Sequence, residues 1–180
     1  MSILSDASLH NMLAGGRLVV DPLAPDAVGP ASIDVTLGPE MRRLVYDEVI
    51  DTVTGAGARY ETMALDRFGG YKLYPGDLHL GATAEWVEVP DELVCHLHGR
   101  STLGRYGVSV HETAGLIDPG FRGQITLELT VARATRLYPG QPIGQLVFCR
   151  LTTPAARPYG VRGRYQDSRG AVPPIPFGGA

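Results

Sequence analysis

The sequence is short of the residues that mark several protein classes. Its 180 residues include only two cysteines, Cys95 and Cys149, and each lies within an apolar run. A disulfide framework is therefore not supported, and both thiols are expected to be free and buried. No apolar run is long enough to span a membrane, and no signal peptide is recognisable. These absences predict a cytoplasmic protein with no membrane partner.

A strong excess of one charge is also missing. The formal net charge is -3 at pH 7, which indicates no broad basic surface. Nucleic acid is therefore not expected as a partner. Local groups of arginines are expected to serve either a small anionic ligand or solubility.

Long helical periodicity is scarce, whereas turn-forming residues are abundant. The chain has 23 glycines and 14 prolines, and short alternating segments lie between them. This pattern predicts one all-β domain, a sandwich or a barrel. One short helix is expected near the N-terminus, capped by Ser5 or Asp6 and ended by Gly15-Gly16. Its apolar face carries Leu9, Met12 and Leu13.

Several segments are predicted to be strands. Apolar and polar residues alternate at 33–37 and 125–131, and the second segment places Glu128 between two threonines, opposite the apolar face. Further strands are expected at 17–20, 85–89, 93–98 and 143–151, with a hairpin at 44–72 that shows no sign of chemistry. The tetrapeptide Leu-Tyr-Pro-Gly occurs at 73–76 and again at 137–140, which predicts two copies of one turn in a folded-over sheet.

Residues 99–128 carry most of the side chains suited to chemistry. Arg100 and Arg105 flank the hydroxyls of Ser101 and Thr102, a placement that favours a loop gripping phosphates. Taken singly, each arginine is better explained as a surface charge, and Glu128 as an exposed strand residue. Asp34, on the strand at 33–37, is interpreted as an exposed residue or a structural hydrogen-bonding group.

Three ordered segments resemble the signature of dCTP deaminases, which are close relatives of the trimeric dUTP pyrophosphatases. They are residues 100–107, Arg-Ser-Thr-Leu-Gly-Arg-Tyr-Gly; residues 111–123, with His-Glu-Thr-Ala-Gly-Leu-Ile-Asp-Pro-Gly; and residues 125–129, Ile-Thr-Leu-Glu-Leu. The resemblance implies a distorted jelly-roll or β-barrel of the dUTP pyrophosphatase type. It also implies a domain at 1–159 and a flexible C-terminal arm at 160–180 that closes over the nucleotide.

The resemblance implies a catalytic role for a few of these residues. Glu128 matches the family's proton shuttle, Ser101 and Arg105 match residues that hold the water and this glutamate, and the Ala114 carbonyl matches a water acceptor. The residues matching the family's substrate-binding positions are Arg100, Thr102, Leu103, Gly104, Asp118, Thr126, Leu127, Gln145, Tyr159, Arg164 and Ser168. The family usually has serine at position 102, lysine at 164 and glutamine at 168.

Zinc, which most nucleobase deaminases use, is not expected. The zinc type needs a His-x-Glu segment and a Pro-Cys-x-x-Cys segment. Here His111 precedes Glu112 directly, and the two cysteines are isolated. His96 and His98 share a strand face, but an exposed or interface-facing strand explains them better than a metal does. The expected metal is Mg²⁺ carried by the triphosphate of the nucleotide.

The expected reaction converts dCTP to dUTP and ammonia in a homotrimer with sites between subunits. Members that also cleave dUTP to dUMP and pyrophosphate tend to have glycine followed by an apolar residue where others have His-Arg. Gly115-Leu116 resembles this bifunctional type. Two alternatives stay open: a dUTP pyrophosphatase without deaminase activity, and a nucleotide-binding regulator that has lost catalysis.

Overall fold

The computed structural model of the chain describes residues 2–46 and 49–178. These residues form thirteen strands, two α-helices and one 3₁₀ helix. In chain order the elements are β1 (Ser2–Ile3), α1 (Asp6–Ala14), β2 (Val19–Asp21), β3 (Ile33–Thr36), β4 (Arg42–Tyr46), β5 (Ala58–Thr62), β6 (Tyr71–Leu73), β7 (His79–Glu88), β8 (Leu93–Gly99), α2 (Ser101–Arg105), β9 (Val108–Ser109), β10 (Leu116–Ile117), β11 (Arg122–Val131), β12 (Thr135–Leu137), β13 (Pro142–Arg150) and the 3₁₀ helix (Tyr159–Val161). The predicted all-β class with a short N-terminal helix is confirmed.

Within the described ranges the strands form two large sheets and one small one. The five-stranded sheet runs β1-β13-β8-β10, and β3 also pairs with β13. The six-stranded sheet runs β5-β4-β7-β11-β9, and β2 also pairs with β7. One hydrophobic core contains residues of both large sheets, including Val35 and Leu97 of the first and Val87 and Leu127 of the second. The arrangement is jelly-roll-like, with sheets that do not close into one barrel.

Helix α1 follows its sequence signals. Ser5 is the N-cap, Asp6 supplies an acidic residue in the first turn, and the helix ends at Ala14. Leu9 and Met12 are buried, so the predicted apolar face is the packed one. Gly16 has a φ of 63°, a left-handed conformation that glycine adopts without steric cost.

Strand β11 shows the predicted alternation. Its apolar residues, Ile125, Leu127, Leu129 and Val131, are all buried in the core. The threonines and Glu128 lie on the opposite face and are half-buried. Because side chains alternate between the faces of a strand, this register fixes Glu128 outside the core.

The two Leu-Tyr-Pro-Gly turns lie at the ends of the paired strands β6 and β12. Leu73 is opposite Thr135, and Leu137 is opposite Tyr71. Gly76 and Gly140 have φ values of 87° and 79°. Both values suit the third position of a type II turn, where glycine is required. The repeated tetrapeptide thus marks two similar turns, and the strands that lead into them, β6 and β12, pair with each other. This is the arrangement expected of a sheet that folds over on itself.

Strand β7 begins earlier than the sequence indicates. The prediction started this strand at residue 85, whereas β7 begins at His79. Residues 79–83 are all buried, so they lack the alternation that marks a half-buried strand. Gly81 and Ala82 also have low strand propensity. The strands expected at 93–98 and 143–151 are observed as β8 and β13. Strand β8 ends one residue later than predicted, and β13 begins and ends one residue earlier.

The C-terminal segment 160–178 is irregular, as predicted, and it lies against strand β11. The N–H of Gln124 donates to the Ser168 carbonyl at 2.9 Å, and the N–H of Asp167 donates to the Arg122 carbonyl at 2.8 Å. Ala171 is buried, with 1% of its surface exposed. The segment is therefore seen docked on the domain.

Among the described residues, no helix has the length and apolar character needed to cross a membrane.

Candidate active site

A pocket of about 270 Å³ lies on the outer face of the six-stranded sheet. Leu80 of β7 and the preceding Leu78 line it, and Glu128 of β11 stands directly opposite Leu80 in the ladder. Directly paired residues of antiparallel strands point to the same face. The pocket is therefore built on the sheet face opposite the core, where half-buried polar side chains are expected.

Glu128 is held in this pocket by the backbone before β10. Its Oε2 accepts hydrogen bonds from the N–H groups of Glu112 and Thr113, both at 3.1 Å. Two backbone donors fix the direction of the carboxylate without neutralising it. No donor of the described residues is bonded to Oε1, so this oxygen is available for a water or a substrate.

Three other predicted site residues line the same pocket. Ala114 and Asp118 border it beside β10, and Thr126 borders it from β11. Asp118 begins the predicted turn: its carbonyl accepts from the Phe121 N–H at 3.2 Å, and Gly120 has a φ of 79°. A turn of this kind places the Asp118 side chain at the pocket rim.

Two further predicted residues line the pocket: Ser168 of the C-terminal segment, and Tyr159, which directly precedes that segment. The Tyr159 ring packs edge-on against Phe121, with 5.6 Å between ring centroids. The Tyr159 hydroxyl accepts from the Tyr165 N–H at 3.1 Å, and Ser168 Oγ donates to the Tyr165 carbonyl at 2.6 Å. Tyr165 also lines the pocket, so the segment closes it with aromatic and hydroxyl groups.

Arg164 lies outside this pocket. It lines an adjoining pocket of about 570 Å³ together with Arg157 and Arg162, and Asp118 and Tyr159 border both pockets. The Arg164 guanidinium donates to the carbonyls of Ile175 and Pro176, at 3.3 and 3.0 Å. Three guanidinium groups beside the first pocket provide donors suited to phosphate oxygens.

The predicted phosphate-gripping loop is a short helix in the structure. Residues Ser101–Arg105 form α2, because the Gly104 N–H donates to the Arg100 carbonyl at 3.0 Å and Tyr106 continues the same pattern. Ser101, Thr102, Gly104 and Arg105 are exposed, and Leu103 packs against the core. None of these residues lines the Glu128 pocket of the same chain.

Arg100 and Gln145 meet at Asp34 on the five-stranded sheet. The Arg100 guanidinium donates to Asp34 Oδ2, and Gln145 Nε2 donates to Asp34 Oδ1 at 2.9 Å. Asp34 thus acts as a hydrogen-bond acceptor for two predicted substrate-binding residues. Leu127, by contrast, has its side chain wholly in the core, so only its backbone can face a ligand.

The structure adds one site residue that the sequence did not indicate. Tyr60 of β5 lines the pocket together with Glu128. Its burial raises the pKa of the phenol, and the nearby charges of Glu128 and Tyr165 raise it further. The sequence assigned no chemistry to the hairpin that carries Tyr60. No local signal was available, because only the pairing of β4 with β7 brings this hairpin to the pocket.

A buried carboxylate was also missed. Glu85 is 5% exposed and accepts from the Thr36 N–H and from Thr36 Oγ1, the latter at 2.7 Å. Thr83 Oγ1 donates to the Glu85 carbonyl at 2.8 Å and accepts from the Ile125 N–H at 3.0 Å. These bonds tie β3, β7 and β11 together at the point where the register of β11 shifts. Glu85 therefore has a structural role beneath the pocket.

The described residues contain no group of three or more His, Cys, Asp or Glu side chains placed to hold a metal ion. Cys95 and Cys149 are free and buried, as predicted, and burial raises the pKa of the Cys95 thiol well above its usual value. His96 and His98 do share a face of β8, with ring centroids 6.2 Å apart.

The fold and the pocket define a class: an all-β protein with a carboxylate held on a strand and covered by the C-terminal segment. A family model described as dCTP deaminase-like matches residues 3–151. The chain is 45% identical to a dCTP deaminase of Haloarcula marismortui, over 93% of this chain and 91% of that protein. It is 41% identical to a dUMP-forming dCTP deaminase of Methanobrevibacter smithii, over 89% of this chain and 86% of that protein.

The chain therefore belongs to the dCTP deaminase-like family. A crystal structure of the 2'-deoxycytidine 5'-triphosphate deaminase of Agrobacterium tumefaciens has the same fold, with a TM-score of 0.62 at 21% identity. The match covers 81% of this chain and 47% of that one, so this chain spans about half the length of that structure.

Proposed function

We propose that this protein hydrolyses dCTP to dUTP and ammonia without zinc. The single observation that carries the proposal is the anchored carboxylate of Glu128 in a pocket of a dCTP deaminase-like chain. The relatives that are 40–45% identical are named dCTP deaminases, which supports the same substrate here.

Glu128 is placed to move the protons that this reaction needs. A water attacks C4 of cytosine while the carboxylate takes one of its protons and passes it to the ring nitrogen N3. The carboxyl group then transfers the second proton to the amino group, which leaves as ammonia. One water is consumed, and the C4 oxygen of uracil comes from it. Leu78, Leu80 and Tyr165 line the pocket and limit access of bulk water.

The position of α2 supports an active site shared between subunits. Ser101 and Arg105 are exposed and do not line the pocket of their own chain. In our proposal the chain forms a homotrimer in which α2 of one protomer faces the Glu128 pocket of the next. The guanidinium of Arg105 and the hydroxyl of Ser101 would then orient the water and the carboxylate, with Arg100, Thr102, Leu103 and Gly104 along the nucleotide.

The triphosphate is expected to extend past Asp118 towards Tyr159, Arg164 and Ser168. It arrives with its own Mg²⁺, which we treat as part of the substrate. Ser168 has a shorter reach than the family's glutamine, whereas Arg164 keeps the positive charge. The arm 160–180 is proposed to open for substrate entry and to close over the bound nucleotide. Two free, buried thiols fit a reducing compartment, so we place the enzyme in the cytoplasm.

Onward hydrolysis of dUTP to dUMP and pyrophosphate is the second proposed step. Several relatives are named dUMP-forming dCTP deaminases. A Cβ atom built at Gly115 would lie 2.9 Å from the His111 ring, so a bulky residue does not fit at this position without movement of that ring. The absence of the arginine that other members carry at position 116 is proposed to leave space for a second water near the α-phosphate.

Product analysis after adding dCTP and Mg²⁺ tests the proposal. We expect ammonia with dUTP or dUMP from the wild type. Glu128→Gln keeps the size of the side chain, so it should bind dCTP yet release no ammonia. Glu61→Gln, at an exposed position of β5, is the matched control and should remain active. Unchanged dCTP with tight binding would instead favour a regulator, and dUMP formed only from added dUTP would favour a pyrophosphatase.

A further inference from the structure

Tyr60 lies on β5, at the edge of the six-stranded sheet, and borders the pocket that contains Glu128 of β11. The strands between them are β4 and β7, so three strand spacings separate β5 from β11. Three spacings correspond to about 14 Å between the two backbones. Both side chains border the same pocket of about 270 Å³.

The register explains why Tyr60 points into the pocket. Tyr60 pairs with Leu44 of β4, two residues from Arg42. Arg42 is paired with Leu80 of β7, and Leu80 is paired with Glu128. Tyr60 and Glu128 therefore belong to the same face of the sheet.

The other titratable side chains that border the pocket are Asp118, Tyr159 and Tyr165. Arg42 of β4 lies on the same face, beside Leu80, and its Nε donates to Glu40 at 2.7 Å. The Tyr165 hydroxyl accepts from the Ile175 N–H at 3.0 Å. Burial and the negative charge of Glu128 raise the pKa of Tyr60, so its hydroxyl keeps its proton at neutral pH and acts as a donor.

We propose that Tyr60 is a positioning residue for Glu128. Its hydroxyl, on the facing wall of the pocket, orients Oε1, the carboxylate oxygen to which neither backbone N–H donates. The backbone donors of Glu112 and Thr113 hold Oε2 from one side. A neutral hydroxyl on the other side restricts where Oε1 points. This role deepens the proposed deaminase function and rests on it, since it concerns the same carboxylate.

Steady-state kinetics of Tyr60→Phe with dCTP test this role. Loss of a hydroxyl that directs the carboxylate should lower kcat about tenfold. The KM for dCTP should change less than about threefold, because the nucleotide keeps its phosphate contacts. A hydroxyl donated to a carboxylate favours the ionised form, so its loss should also move the acid limb of the kcat profile to higher pH.

Tyr46→Phe is the matched control, because it removes the same hydroxyl from an exposed position of the neighbouring strand β4. It should leave kcat and the pH profile as in the wild type. A Tyr60→Phe enzyme that matches Tyr46→Phe in both measurements overturns the proposal. A purely structural role would change thermal stability without moving the pH profile.

A second measurement is independent of turnover. The ¹³Cζ resonance of Tyr60, assigned by its loss in Tyr60→Phe, reports the phenol pKa in labelled protein. In Glu128→Gln this pKa should fall, because the neighbouring negative charge is gone, and an unchanged pKa would refute the contact between the two groups. If the wild type releases no ammonia from dCTP, the proposed function fails, while this titration still decides the relationship of Tyr60 to Glu128.

Discussion

The carboxylate of Asp34 binds the guanidinium of Arg100, which connects β3 to the residue directly before helix α2. Gln145 donates to the other oxygen of the same carboxylate. Asp34 therefore orients two of the residues expected to contact the nucleotide. Both side chains of the ion pair are about one-third exposed, at 33% and 29%, so solvent screens part of their attraction.

Replacing Asp34 by Asn should weaken both stability and substrate binding. The variant keeps an acceptor for Gln145 but loses the charge that faces Arg100. We expect a loss of about 1 kcal/mol in the free energy of unfolding, which lowers the Tm by about 2–4 °C for a chain of this size. The KM for dCTP should rise because Arg100 is no longer held. Asp26→Asn, at an exposed loop position, is the control. Equal Tm and KM in the two variants would contradict this role of Asp34.

Mixed trimers can test whether the site is shared between protomers. Glu128→Gln and Arg105→Ala should each be inactive when expressed alone. When the two are expressed together in equal amounts, a site with Glu128 from one chain and Arg105 from the next is intact at about one interface in four. Ammonia release near a quarter of the wild-type rate is therefore expected. Activity that stays at the level of the separate variants would place both residues in a site of one chain.

The C-terminal segment contacts the tip of the β4–β5 hairpin, and we predict that its proposed closure depends on this contact. The N–H groups of Phe177 and Gly178 donate to the carbonyls of Thr52 and Val53, at 3.0 and 2.7 Å. A Cβ atom at Gly55 would lie 2.7 Å from Pro176. Gly55→Ala should therefore displace the segment from the hairpin. If this reduces the closed population tenfold, the apparent KM for dCTP rises about tenfold.

The variant Gly69→Ala is the control that distinguishes displacement of the C-terminal segment from backbone strain at the substituted glycine. Gly69 has a φ of 75°, close to the 76° of Gly55, and among the described residues no atom lies within 4 Å of its added Cβ. Both variants should lose about 1 kcal/mol of stability from the left-handed conformation. Only Gly55→Ala should raise the KM. A similar KM in both variants would show that the hairpin tip does not hold the segment.

Acid should destabilise the protein through His79. This residue is fully buried, and within the described residues neither ring nitrogen has a hydrogen-bond partner. Burial lowers the pKa of His79, despite the opposing effects of the Asp77 charge and of the Leu129 backbone, which lies near the ring without forming a hydrogen bond of normal geometry. The unfolded chain therefore binds a proton more readily than the folded one as the pH falls below about 6.5.

The stability contribution of neutral His79 is complete above that pH and is lost between the unfolded and the lower folded pKa. The slope is at most about 1.4 kcal/mol per pH unit. Urea unfolding at about pH 7.5 and pH 5.5 measures it. His79→Gln should lose less stability over this interval than the wild type. His10→Gln, at an exposed position of α1, should behave as the wild type, and an equal loss in all three proteins would contradict the prediction.

Much of the fold could be predicted because local patterns agreed with it. Alternation predicted β3 and β11, the spacing of Leu9 and Met12 predicted the buried face of α1, and the repeated Leu-Tyr-Pro-Gly marked two turns. The start of β7 was not predictable from alternation, because residues 79–83 are buried on both faces. The same limitation applied to Tyr60, whose strand gave no sign of the pocket that it borders.

The sequence by itself determined the class of fold, because that class depends on local order and spacing along the chain. Its ordered motifs indicated the family, and the resemblance to that family indicated Glu128 as the candidate carboxylate. Tertiary structure alone decided which residues meet. It separated Arg100 and Gln145, bound at Asp34, from the pocket of Glu128, and it brought Tyr60 and the C-terminal segment to that pocket. The physical reason is that contacts between distant strands follow from sheet order and register, which a single strand's own sequence does not encode.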